Sequence, residues 1–132
     1  MKSREIRPHE WDNFLVLFSQ QHEGWLVTLE EIPAGGGGPR IEARGLPLQG
    51  LFANPHEQSI SIALGRAPDD HLMHTVNNPE RIVVEQTDSG ADHGLTIERQ
   101  SGRATRLRFK TAIRPEEVDG LPKRSSGSSG SG

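Results

Sequence analysis

Two hydrophobic periodicities run along the chain and change over near Gly24. Ahead of it, Trp11, Phe14, Leu15 and Phe18 recur at i, i+3, i+4 and i+7, which places four bulky side chains on one helical stripe. Pro8 suits a first helical position, Glu10 and Asp12 sit favourably in the positive first turn, and Gly24 beyond Glu23 is a natural terminator. The pattern predicts a helix over about 8–23. Beyond it the period falls to two. Over 25–32, Trp25, Val27 and Leu29 take one face, with Thr28 and Glu30 on the other. The segment 33–39, with four consecutive glycines, predicts a loop. Residues 41–43 and 46–52 predict a broken or bulged strand, interrupted by Gly45, Pro47 and Gly50. Ser59 to Leu64 alternates most cleanly, and 72–76 and 81–87 predict further strands. After an Asp- and Gly-rich turn at 88–94, residues 95–99 and 105–110 pair as a hairpin about Ser101 and Gly102.

One N-terminal amphipathic helix followed by six to seven short strands makes an α+β domain. No connection has the length of a helical crossover, so the strands form a curved antiparallel meander. That sheet is expected to curl around the helix or to close towards a small barrel. Residues 1–124 are read as a single domain. The tail 125–132 contains only Ser and Gly, a composition that behaves as a flexible coil and resembles a linker added for expression. No internal repeat is present.

Composition removes several classes of function. With no cysteine, a disulfide scaffold, a thiol nucleophile and a thiolate metal site are excluded. The net charge of −3 leaves no electrostatic footprint for nucleic acid, and the Trp and Phe residues that stacking would need belong to the core pattern. No apolar run approaches the length of a membrane span. The five-residue run 14–18 is too short for a secretory signal, so the expected compartment is the cytoplasm.

Two clusters invite chemistry. Asp69, Asp70, His71 and His74, with His22 as an outlying member, carry the ligand types of a divalent metal. On a strand, however, residues three apart point to opposite faces, so His71 and His74 converge only if a turn or a helical stretch intervenes. Asp69 and Asp70 after Pro68 also serve as ordinary turn residues. The second cluster is Arg106, Arg108 and Lys110, alternating with Leu107 and Phe109, which lines one strand face with three cations for an anion or an acidic partner. Cross-strand pairing with Glu98, and with Glu85 one strand further, is the structural alternative. Ser59 and Ser61 have no base beside them in sequence, and the glycine run lacks the Lys-Ser/Thr of a phosphate loop. Adjacent acids such as Glu30 and Glu31 face opposite ways on a strand and cannot share a proton. No cofactor fingerprint is found. The sequence therefore favours a non-enzymatic module that binds a protein partner, a second copy of itself through edge strands, or a small ligand on the sheet. The alternative is a metal-dependent, hydrolase-like enzyme built on Asp69, Asp70, His71 and His74.

Four stretches carry a family resemblance: Gln20 to Thr28 (QQHEGWLVT), Glu42 to Leu48 (EARGLPL), Leu64 to Leu72 (LGRAPDDHL) and Val84 to Asp88 (VEQTD). Together they resemble a family of small bacterial proteins known only as a domain of unknown function, number fifty-three thirty-five, over about residues 5–120. The resemblance implies a bacterial, intracellular, single-domain protein and brings no activity, cofactor or site residue with it. The four-glycine run is longer than such proteins need at that hairpin.

Overall fold

The alternation beyond Gly24 builds seven strands, and an eighth precedes the helix. A computed structural model describes residues 2–66 and 71–113, with side chains through residue 110. The order is β1 (Lys2–Ile6), a 3₁₀ turn (Pro8–Glu10), α1 (Trp11–His22), β2 (Leu26–Ile32), β3 (Arg40–Asn54), a 3₁₀ turn (Pro55–Glu57), β4 (Ser59–Leu64), β5 (Leu72–Asn77), β6 (Pro79–Gln86), β7 (Asp92–Arg99) and β8 (Ala104–Ile113). The helix ends as expected. Glu23 leaves helical geometry and Gly24 takes φ +87°, a conformation that glycine adopts readily and that turns the chain into β2 at Leu26.

All eight strands join one antiparallel sheet in the order β1-β6-β7-β8-β2-β3-β4-β5. It is two meanders, 2-3-4-5 and 6-7-8, welded by the pairing of β8 with β2, and not the single run that the sequence predicts. β3 is the hinge. Its first half pairs with β2 and its second half with β4, and the predicted break is three register shifts, two against β2 and one against β4, within one continuous strand of 15 residues. Where β2 ends, α1 takes over the exposed edge of β3. The Ser19 hydroxyl accepts a hydrogen bond from the Leu51 N–H at 2.8 Å and donates one to the Leu51 carbonyl at 3.3 Å, so backbone groups left without a strand partner are satisfied by the helix.

The sheet bends around a core on its inner face but does not close into a barrel: β1 and β5 remain its edges. Val27 and Leu29 on β2 meet Phe109 and Leu107 on β8, followed by Leu95 and Ile97 on β7 and Ile82 and Val84 on β6. Leu51, Ile60, Ile62 and Val76 supply the other half, and Leu15 and Phe18 of the helix complete the cluster. Each fully buried side chain of this kind contributes about 1.5–3 kcal/mol. β1 adds to β6 beyond the second meander. This strand escapes sequence reading because four of its five residues are exposed and only Ile6 enters the core.

Candidate functional site

His22 extends the apolar stripe of α1, four residues beyond Phe18, and is 2% exposed. Its ring lies among Phe18, Trp25 and Phe109, with centroids 4.3–4.7 Å away. Nδ1 stands 2.7 Å from the Phe18 carbonyl, which can only accept, so this nitrogen donates. Nε2 stands 2.6 Å from Asp92 Oδ2 at the start of β7. The hydrogen bond from His22 holds the Asp92 carboxyl below its ordinary range against the opposing effect of burial, with Gln86 donating to its other oxygen. Both ring nitrogens therefore have a hydrogen-bonding partner, Phe18 within the helix and Asp92 on the sheet. The pair braces α1 against β7 and is enclosed by aromatic rings.

His74 lies on β5 opposite Ile62, on the inner face, and donates to Glu31 of β2 at 2.8 Å. The same carboxylate accepts from the Thr105 hydroxyl at 2.6 Å and from Arg99 at 3.2 Å. Burial pushes the Glu31 carboxyl up, but these donors and the Arg99 charge outweigh it and leave it below the usual value. The network ties the two meanders together across the bend. His71 is exposed at the entry to β5, and Asp69 and Asp70 lie outside the described residues. His22 and His74 thus belong to separate hydrogen-bonded networks. Among the described residues no group of three or more His, Asp or Glu is placed to hold a metal ion.

The predicted cationic face of β8 exists, on the outer side of the sheet, but its acidic partner is Glu30 of β2. Arg106 Nε donates to one oxygen at 3.0 Å and Arg108 Nη2 to the other at 2.8 Å, covering a carboxylate whose side chain is 5% exposed. Burial raises the Glu30 carboxyl, and the two guanidinium hydrogen bonds with their charges bring it below its ordinary range. Glu98, the sequence-based candidate for that role, pairs with Arg81 instead. The reason is strand order: β8 lies between β7 and β2, and only the β7 neighbour is visible as a hairpin in sequence.

A different place collects a further set of polar side chains. At one end of the sheet a cleft of about 590 Å³ opens between the start of α1 and three turns. The turns are held to one another by backbone hydrogen bonds: Asn78 N–H to the Gln58 carbonyl at 2.8 Å, and Gln100 N–H to the Asn78 carbonyl at 3.3 Å. Gln58 (φ 50°) and Asn78 (φ 54°) are, among the described residues, the two non-glycine positions with positive φ, and both line the cleft. Such conformations cost about 1–2 kcal/mol each and persist where the surroundings enforce them. Side-chain amides of Asn54, Gln58, Asn78 and Gln100 stand beside Trp11, with Asp12 and Glu80 as its acids and no Lys or Arg in the lining. Asn54 Nδ2 donates to the Ser59 and Ser61 hydroxyls at 3.2 and 3.0 Å. Sequence reading missed this site because its parts lie in turns far apart. Asn54-Pro55 and Asn78-Pro79 are turn signals that mark two of them.

No helix among the described residues is long and apolar enough to cross a membrane. No curated protein and no solved structure matches the chain. A family model, described as a family of unknown function, matches residues 2–118. Since that match spans nearly the whole chain, the protein belongs to the DUF5335 family.

Proposed function

We propose that the chain is a non-enzymatic binding module that holds a small, uncharged, hydrogen-bonding solute, of the polyol, saccharide or amide type, in the cleft between α1 and the three stapled turns. The observation that carries this reading is the lining itself. Four side-chain amides supply both donors and acceptors, Trp11 and the prolines offer flat apolar surface, and Asp12 and Glu80, set against His9 as the one basic side chain of the lining, disfavour an anion. The groups that could do chemistry are engaged elsewhere: His22 with Asp92, His74 with Glu31, and Ser59 and Ser61 with an amide instead of a base. The reading invokes no cofactor or metal and places the module in the bacterial cytoplasm, in keeping with the family resemblance of its sequence.

A panel of neutral saccharides, polyols and amides tests it by thermal shift against the native chain and against Ala53→Phe, which fills the cleft from β3. Binding is expected to raise the melting temperature with at least one neutral class and to vanish in the variant. A panel inert at millimolar concentration, or shifts unchanged in Ala53→Phe, would overturn the assignment.

A further inference from the structure

A second site, independent of the cleft, lies on the outer face. In an antiparallel sheet directly opposed residues share a face, with Cβ atoms about 5 Å apart. The register places Arg108 of β8 opposite Thr28 of β2, and Thr28 opposite Arg44 of β3. One row across three strands therefore reads Arg108, Thr28, Arg44, with a hydroxyl between two guanidiniums rooted about 10 Å apart. Lys110, two residues along β8, adds a third cation to the same face. These four side chains, with Gly45 and Phe109, line a groove of about 270 Å³.

The row continues on β7 as Gly94, opposite Arg108, so no side chain crowds that flank. Among the described residues the charge there is only partly neutralised. Glu30 serves Arg106 and Arg108 together, whereas Arg44 and Lys110 take part in no ion pair with any described residue. Arg108 gives Glu30 one guanidinium nitrogen, and its Nε–H is buried without an acceptor among the described residues. A buried donor left without an acceptor is costly, and it leaves the Arg108 guanidinium incompletely satisfied by Glu30.

We propose that this groove binds a phosphoryl group, held by Arg44, Arg108 and Lys110 and oriented by the Thr28 hydroxyl. Three converging cations suit a dianion better than a single carboxylate, and planar guanidiniums present paired donors to a tetrahedral oxyanion. The recognised chemistry is the phosphate itself, either free or as a monoester of a small molecule.

The experiment titrates the full chain with inorganic phosphate, with glycerol phosphate and with glycerol, followed by amide and side-chain NMR shifts. Saturable shifts centred on Thr28, Arg44 and Arg108 are expected with both phosphates, and glycerol should move none of these three residues. Equal affinity for the two identifies the free group as sufficient, and tighter binding of the ester assigns contacts to the ligand body; both uphold the site. Arg44→Gln and Lys110→Gln, each removing an exposed side chain with no ion pair to any described residue, should weaken phosphate about fivefold apiece. Arg103→Gln removes the same charge at the distant β7–β8 turn and should leave affinity within about twofold. Equal weakening by Arg103→Gln, or citrate binding as tightly as phosphate, would reduce the groove to a general positive field and overturn the proposal. So would the absence of any saturable shift.

Discussion

Replacing Asp92 by alanine asks how much of the fold depends on one buried proton-sharing contact. The change leaves His22 Nε2 without a partner inside a site where the ring is 2% exposed, and it removes the acceptor of the Gln86 amide. Breaking a buried ion pair from one side costs about 3–5 kcal/mol. Asp92 is itself 21% exposed, so water can replace part of what is lost, and the expected cost falls to about 2–3 kcal/mol. With a urea slope of about 1.5 kcal/mol/M for a domain of this size, the unfolding midpoint should drop by about 1.3–2 M at unchanged slope. His22→Phe keeps an aromatic ring among Phe18, Trp25 and Phe109 while abolishing the polar requirement. In that background Asp92→Ala should cost less than about 1 kcal/mol, which makes the coupling at least about 1 kcal/mol. Additivity of the two changes within about 0.5 kcal/mol would refute the assignment of the pair as a brace.

Three further outcomes follow from the same geometry. Glu30, Glu31 and Asp92 all have carboxyls held below their ordinary values, so the unfolded chain binds more protons in acid; their contribution is complete above about pH 5 and is lost as pH falls through the folded values. The urea midpoint should decline steadily between about pH 5 and pH 3, and a midpoint constant to pH 3 would contradict this. Gly94→Ala would drive a Cβ into the Leu107 carbonyl oxygen on the neighbouring strand and should destabilise by about 1–3 kcal/mol in the same assay, whereas a neutral result would show that the β7–β8 contact is looser than described. Ser19→Ala strips the Leu51 N–H of its acceptor and should cost about 1–2 kcal/mol, with hydrogen exchange accelerated at Leu51 ahead of its β4-paired neighbours; equal exchange in both chains would remove Ser19 from its edge-covering role.

How far the sequence reaches depends on whether a feature is local. The stripe of Trp11, Phe14, Leu15 and Phe18 is local, and α1 forms there with Leu15 and Phe18 buried. The alternation of Ser59 to Leu64 is local and becomes β4 at the same residues. Lys2 to Ile6 carries no apolar alternation, since an edge strand with one buried residue needs none, and it reads as a charged terminus. Gly45, Pro47 and Gly50 look like breaks because they are unfavourable in a regular ladder, yet β3 absorbs them by changing partner from β2 to β4. The partner of Arg106 and Arg108 was hidden for a topological reason: β2 and β8 are separated by most of the chain, so nothing near Arg106 points to Glu30. Asp92 sits in a segment whose composition signals only a turn, and its partner His22 lies 70 residues away. The cleft is the extreme case, assembled from one helix start and three turns, each ordinary by itself.

The central claim is that an uncharged solute occupies that cleft, and a residue-resolved NMR titration of the native chain tests it most directly. A neutral saccharide or amide ligand selected by thermal shift should move the backbone and side-chain amides of Asn54, Gln58, Asn78 and Gln100 together, along one saturable isotherm, while Thr28 and Arg44 on the outer face stay still. Shifts scattered over the surface, or confined to the outer-face groove with the four amides unmoved, would contradict the account.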